Sequence, residues 1–170
     1  PEVLKNVDID QLIKIDDGQV EAKVTEIQDD GLICKVTKTS KAKGIKIKTE
    51  KGINFPELDI NLNVLTEKDM TDLDFASEHA DIIAFSFIKS ADDMKYIEST
   101  LKEKLPADKQ NMPIIAKIET TEAIGEIPNI IAEAASARPF GIMLARGDLA
   151  VEIGYERLSE IQEELLWICE

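Results

Sequence analysis

The sequence is poor in residues that carry several common kinds of catalytic site. Its 170 residues include one histidine and two cysteines. A Ser-His-Asp triad would have to use His79, and nothing around that histidine marks it as a base. Cys34 and Cys169 lie far apart in the sequence and lack the spacing of a metal site. We therefore expect reduced thiols in a cytoplasmic protein.

Basic charge is also scarce, and long apolar runs are missing. The chain has 20 Lys and Arg residues against 34 Asp and Glu residues, which gives a net charge of −14. Such a chain has no basic stripe to displace the counterions of a nucleic acid. It contains no run of about 18 apolar residues and no signal-peptide pattern. These features predict a protein with no nucleic-acid partner and no membrane partner.

Residues 1–50 are interpreted as a small all-β segment. Short runs rich in Val and Ile are separated by Asp-Asp-Gly sequences, which are a signal of β-hairpins. The predicted strands are Gln11–Ile15, Gln19–Ile27, Leu32–Thr37 and Gly44–Thr49. Residues 51–56 contain Gly and Pro and are interpreted as a linker.

Residues 51–170 alternate between helical patterns and short apolar runs. Thr66 and Ser90 are predicted to be helix N-caps, because each precedes an apolar-periodic segment. Strands are predicted over Asp81–Phe87, over Ile114–Glu119 and from Gly141. This alternation predicts right-handed crossovers and a parallel sheet.

Two of the predicted helices carry further expectations. The helix over Thr121–Ala135 should fall into two pieces, because Gly125 and Pro128 interrupt it. A last helix should begin near Tyr155 and bury an apolar stripe along one face. The stripe consists of Leu158, Ile161, Leu165 and Ile168.

Lys117 and Glu119 stand at the end of the predicted central strand. Side chains two residues apart on a strand point to the same side, and α/β proteins bind ligands at the carboxyl ends of parallel strands. A buried lysine and a buried glutamate are costly unless they are paired or bind a metal. The two residues therefore indicate either an ordinary internal ion pair or a functional site.

Asp148 follows the next apolar run, about one βα unit after Glu119. Neighbouring parallel strands of that spacing would bring both carboxylates to the same edge of the sheet. Two carboxylates, water and an anionic substrate form a ligand set that Mg²⁺ accepts. Gly147 would let the backbone approach a ligand and present N–H groups to an anion.

Five motifs stand in a fixed order along the chain. They are Lys51–Pro56, Leu65–Asp69, Ser86–Ser90, Ala116–Glu119 and Gly141–Ile153. The last two read Ala-Lys-Ile-Glu and Gly-Ile-Met-Leu-Ala-Arg-Gly-Asp-Leu-Ala-Val-Glu-Ile. Together they resemble the active-site signature of the pyruvate kinase family, and the similarity covers residues 11–170.

The resemblance implies an α/β fold class. Residues 51–170 would form a partial (β/α)₈ TIM barrel of about three parallel strands with helices, which is the catalytic domain of the family. Residues 1–50 would be the preceding small all-β segment, part of a lid domain. The chain begins with Pro1 and ends within a periodic helix, so we expect it to be a fragment of a longer protein.

The resemblance also implies roles for single residues. Lys117 would be the catalytic lysine, and Glu119 and Asp148 would bind Mg²⁺ or Mn²⁺. The residues expected to contact substrate are Lys117, Ala145, Gly147, Asp148 and Ser86. The full-length parent would also bind K⁺, whose site is expected to lie outside this chain.

The implied activity is that of a glycolytic transferase and kinase. Phosphoenolpyruvate would donate a phosphoryl group to ADP, giving pyruvate and ATP, in a cytoplasmic homo-oligomer. The isolated chain is expected to be inactive. Two alternatives stay open: a Mg²⁺-dependent aldolase or lyase of the phosphoenolpyruvate/pyruvate barrel type, and a truncated domain without catalytic activity.

Overall fold

The chain folds into two compact units, residues 1–62 and residues 63–170. The structure is a computed structural model that describes residues 3–56, 58 and 63–169. The assignment of residues 51–170 to a catalytic domain is not decided by this division and stays a prediction. No helix among the described residues is both long and apolar enough to span a membrane.

The first unit is built on an antiparallel sheet with the strand order β3-β2-β1-β4. Its strands are β1 (Leu12–Ile15), β2 (Val20–Gln28), β3 (Gly31–Thr39) and β4 (Ile53–Asn54), and a short 3₁₀ helix covers Val3–Asn6. The hairpin after β1 uses left-handed backbone at Asp16, Asp17 and Gly18, a conformation that Asp and Gly tolerate. The first three predicted strands and both predicted turns are therefore confirmed.

The fourth strand lies elsewhere than predicted. Residues 44–49 form no strand, and β4 occupies the segment that the sequence analysis interprets as a linker. The free edge of β1 pairs with Ile53 and Asn54. Asp16 fixes this register, because its N–H donates to the Gly52 carbonyl at 3.0 Å and its carboxylate lies 2.6 Å from the Lys51 ammonium.

The second unit is built on a parallel sheet with the strand order β5-β6-β7. The strands are β5 (Ile83–Phe85), β6 (Ile114–Ile118) and β7 (Phe140–Leu144). The helices are α1 (Glu67–His79), α2 (Ala91–Lys104), α3 (Thr121–Ala135), α4 (Arg146–Ile153) and α5 (Tyr155–Cys169), and a 3₁₀ turn covers Ala107–Lys109. The predicted alternation and the parallel sheet are confirmed.

One face of the parallel sheet carries the core of this unit. Phe85, Ala116 and Ile118 on that face are at most 7% exposed. Helices α2 and α3 cover it with apolar side chains in helical spacing. These are Met94, Ile97 and Leu101 on α2, and Ala123, Ile127, Ile130 and Ala134 on α3.

Helix α3 is continuous, so the predicted break is wrong. Pro128 lies inside the helix, and Gly125 has open space where a Cβ would stand. The amphipathic face holds the helix together, since Ile127 and Ile130 are 4% and 0% exposed. Burial of that face outweighs the local cost of the proline and the glycine.

The end of the chain confirms most of the predicted apolar stripe. Leu158, Ile161 and Leu165 of α5 are buried, whereas Ile168 is 47% exposed. Helix α4 was not predicted from the sequence, and it packs against α5 through Leu149 and Ala150. Glu170 lies outside the described residues.

Candidate functional site

The candidate site lies at the carboxyl ends of β5, β6 and β7. The parallel pairing continues one step beyond the strands, because the Ala145 N–H donates to the Ile118 carbonyl at 3.0 Å. Glu119 and the start of α4 therefore follow neighbouring strands at the same edge of the sheet. This edge is the usual place for ligands in parallel α/β folds.

The structure brings Ser86, Lys117 and Glu119 together. The Lys117 ammonium lies 2.6 Å from Glu119 Oε1 and donates a hydrogen bond to Ser86 Oγ at 2.8 Å. Strand register explains this meeting: Phe85 pairs with Ala116, so Ser86 comes opposite Lys117. Three of the predicted site residues therefore form one polar cluster, which we call the Lys117 cluster.

Glu119 is the enclosed member of this cluster. Its side chain is 2% exposed, against 25% for Lys117. Its second oxygen, Oε2, accepts a hydrogen bond from the Phe87 N–H at 3.0 Å. Both oxygens thus have a partner, which makes a buried carboxylate tolerable.

The role of Phe87 was not predicted from the sequence. Its contribution comes from a backbone N–H and not from its side chain, and any residue except proline has that group. A left-handed backbone at an aromatic residue is uncommon, so residue type offers no signal for it. The left-handed conformation of Phe87 is seen only in the structure, where its φ is 56°.

The other predicted site residues lie at the start of α4. Ala145 is the N-cap, and no side chain caps the helix. The first N–H groups of a helix have no partner within the helix, so those of Arg146, Gly147 and Asp148 lack an intrahelical acceptor and form a candidate anion site. The helix dipole adds partial positive charge at this end.

Asp148 belongs to the first turn of α4 and is partly buried. Its carboxylate makes no hydrogen bond or ion pair with the part of the chain that the structure describes. Its oxygens are therefore available as ligands. The close approach of the Glu119 and Asp148 carboxylates stays a prediction.

Side chains tie the loops of this edge to each other. The Lys89 ammonium lies 3.5 Å from the Glu122 carboxylate, which links the loop after β5 to α3. Thr121 Oγ1 donates to Glu152 Oε2 at 3.4 Å, which links α3 to α4. These contacts join the three loops that carry the candidate residues.

Within the described residues, no group of three or more His, Cys, Asp or Glu side chains could hold a metal ion. A magnesium site does not require such a group, because Mg²⁺ is commonly held by one or two carboxylates together with water and substrate oxygens. Glu119 and Asp148 provide a donor set of that kind. Their role as metal ligands remains a prediction.

Comparison with known proteins places the whole chain in one family. The family model described as "Pyruvate kinase, barrel domain" matches residues 1–170. The chain is 34% identical to a pyruvate kinase of Debaryomyces hansenii over 168 residues, which are 98% of this chain and 31% of that protein. It is 37% identical to one of Clostridium perfringens over 158 residues, 92% of this chain and 31% of that protein. The chain thus spans about a third of the length of these curated relatives.

Proposed function

Because this chain belongs to the pyruvate kinase family, we propose that the protein catalyses phosphoryl transfer from phosphoenolpyruvate to ADP, giving pyruvate and ATP. The observation that carries the proposal is the Lys117 cluster, which lies at the same sheet edge as the uncapped start of α4. The Lys117 cluster combines a fixed cation with a buried carboxylate, and the start of α4 presents N–H groups. An anionic substrate of small size suits both.

We propose that β5, β6 and β7 are consecutive strands of a (β/α)₈ barrel. Each strand is parallel to the next one and is followed by a helix. Among the described residues, helices cover one face of the sheet, while Ala84 and Met143 on the other face are exposed. In a closed barrel this second face would line the interior.

Lys117 is proposed to be the catalytic lysine. Phosphoryl transfer depends on positioning and on neutralising charge more than on covalent help from the protein. The ammonium is fixed by Ser86 and Glu119, so little reorganisation is needed as negative charge shifts between the phosphoryl group and the enolate oxygen. A fixed cation of this kind stabilises the transition state more than the substrate.

Glu119 and Asp148 are proposed to hold Mg²⁺ or Mn²⁺. An ionised carboxylate has about four lone-pair sites, and Lys117 and the Phe87 N–H occupy two of those on Glu119. Acceptor capacity therefore remains for a cation. A bound divalent cation would supply Lewis-acid polarisation of the substrate oxygens.

The start of α4 is proposed to bind the substrate carboxylate. The N–H groups there, from Arg146 to Asp148, lack a side-chain cap. Gly147 leaves this backbone accessible, because nothing lies within 4 Å of the position its Cβ would take. ADP and ATP binding, K⁺ in the full-length protein, a homo-oligomeric state and a cytoplasmic location stay predictions.

The proposal is tested in the natural full-length protein by a coupled assay of ADP-dependent pyruvate formation. Lys117→Met should lower kcat about 100- to 1,000-fold, because a preorganised charge is lost from the transition state. Lys95→Met removes an exposed lysine that pairs with Asp92 at the surface and serves as the matched control. Glu119→Gln and Asp148→Asn should each raise the Mg²⁺ concentration needed for half-maximal activity.

Near-normal turnover by a folded Lys117→Met variant would contradict the catalytic role. Unchanged metal dependence in both carboxylate variants would contradict the metal assignment. Cleavage of a hydroxy-keto acid by the natural protein without nucleotide, with no phosphoryl transfer, would favour the aldolase alternative. Circular dichroism of each variant separates loss of activity from loss of folding.

A further inference from the structure

Phe87 has a backbone conformation that its residue type disfavours. Its φ is 56°, in the left-handed region where bulky side chains are rare. The other non-glycine residues with positive φ in the described chain are acidic residues, namely Asp10, Asp16, Asp17 and Glu50. The conformation at Phe87 does not bury its ring, which is 57% exposed.

The conformation determines where the Phe87 N–H points. If β5 continued in register, Phe87 would lie opposite Ile118, since Phe85 pairs with Ala116. Instead the strand ends at Phe85, and the Phe87 N–H donates to Glu119 Oε2 at 3.0 Å. Residues 86 and 87 thus hold both members of the Lys117–Glu119 pair, one through a hydroxyl and the other through a peptide N–H.

We propose that Phe87 is a positioning residue whose left-handed backbone fixes the Glu119 carboxylate in the orientation that binds a divalent cation. The inference rests on the proposed function, in which Glu119 is a metal ligand. Ligating carboxylates are commonly oriented by hydrogen bonds from neighbouring groups. Here the Phe87 N–H restricts rotation of the carboxylate and leaves lone pairs of both oxygens available.

The same turn could instead serve only the core. Ile88 follows directly and is 0% exposed, so the left-handed residue also allows the chain to bring that side chain inward. A purely structural role would affect thermal stability. A positioning role would affect metal affinity as well, and this difference decides the experiment.

The experiment compares Phe87→Val with Phe87→Asn in the natural full-length protein. Both remove the ring, but Asn tolerates left-handed backbone and a β-branched valine does not. Mn²⁺ binding without substrate is measured by electron paramagnetic resonance of the free ion. The valine variant should bind Mn²⁺ about tenfold more weakly than the asparagine variant, the size usual for a lost orienting partner.

Matched controls make the comparison specific. Phe75→Val introduces the same substitution at a ring that is 69% exposed on α1, and it should bind Mn²⁺ as the wild type does. Amide hydrogen exchange should show protection of the residue 87 N–H in the asparagine variant and loss of protection in the valine variant. Thermal unfolding of each variant reports the structural part of the effect.

Several results would overturn the proposal. Equal Mn²⁺ affinity of the valine and asparagine variants, whether or not their thermal stabilities differ, leaves Phe87 with no positioning role. If the valine variant does not fold, Phe87→Gly replaces it, because glycine adopts positive φ freely. Mn²⁺ binding by the glycine variant that is more than tenfold weaker than that of the wild type would point to the ring and contradict the proposal. Equal Mn²⁺ binding by Glu119→Gln and the wild type would instead overturn the metal assignment itself.

Discussion

Glu98 and Arg138 form an enclosed ion pair away from the Lys117 cluster. The Arg138 Nε and Nη2 groups donate to the two Glu98 oxygens at 2.6 and 2.8 Å, and Nη1 donates to the Met112 carbonyl at 3.2 Å. The Arg138 side chain is 2% exposed and the Glu98 side chain is 6% exposed. The pair joins α2 to the segment just before β7. A charged side chain that is buried to this extent is tolerated only while its partner is present.

We expect Arg138→Met to lower the free energy of unfolding by about 3 kcal/mol, because it leaves a buried carboxylate unpaired. The double variant Glu98→Leu/Arg138→Met should lose much less, since no buried charge remains. Urea denaturation of the natural protein measures both. Lys38→Met, which breaks the exposed pair with Glu21, should change stability by no more than about 0.5 kcal/mol. Equal losses in the single and double variants would count against this account.

The Lys117 cluster was predictable from sequence only in part. The spacing of Lys117 and Glu119 placed both on one side of a strand, and their ion pair bears out that geometry. The contribution of Phe87 to this cluster was not predictable, and neither was the separate Glu98–Arg138 pair. Glu98 and Arg138 are 40 residues apart, and no local pattern indicates that they meet. A backbone N–H, the group that Phe87 contributes, is present at nearly every position of any chain.

Helix α1 begins with a reciprocal capping box, whose Thr66 is the N-cap that the sequence predicts. The Asp69 N–H donates to Thr66 Oγ1 at 3.1 Å, and the Thr66 N–H donates to Asp69 Oδ2 at 2.8 Å. The Thr66 hydroxyl also donates to Asp69 Oδ2 at 2.6 Å, and this bond, followed by the one from the Thr66 N–H, holds the pKa of the Asp69 carboxyl below its ordinary value of 3.8. The ionised carboxylate therefore stabilises the folded helix end.

This lowered pKa gives the stability of α1 a defined pH dependence. A depressed folded-state pKa contributes stability above pH 3.8, and the contribution is lost as pH falls through the folded value. At pH 6 Asp69→Asn should be less stable than the wild type by about 0.5 kcal/mol, as for an exposed cap. Below the folded pKa the two should converge. Thermal unfolding at a series of pH values tests this, and a gap that widens in acid would refute it.

Elements with a strong local signal were predicted well, and those decided by packing were not. Ser90 has the side chain that caps α2, and the structure confirms that cap. Helix α3 was expected to break at Pro128, yet its buried face keeps it whole. Helix α4 has eight residues and no side-chain cap, so it lacks the usual start signal of a helix. The lack of a side-chain cap left no sequence signal for the start of α4, and it also makes that start a candidate anion site.

The parallel sheet of the second unit leaves apolar surface open on the scale of the whole unit. It has three strands, so β5 and β7 each present an unpaired edge in the described chain. On the face away from the helices, the Met143 side chain is 47% exposed. Trp167 near the end of α5 is 79% exposed. Open strand edges and apolar patches favour association with other chains.

We therefore expect the 170-residue chain, expressed by itself, to self-associate and to show no pyruvate kinase activity. Symmetric pairing of two copies would cover the open sheet most simply. Size-exclusion chromatography with light scattering should show a mass that rises with concentration. Met143→Lys should weaken this association, because a charge on the open face opposes pairing, whereas Phe75→Lys on α1 should not. A strictly monomeric chain that converts phosphoenolpyruvate and ADP into pyruvate and ATP would show that three strands suffice for the catalysis proposed for a closed barrel.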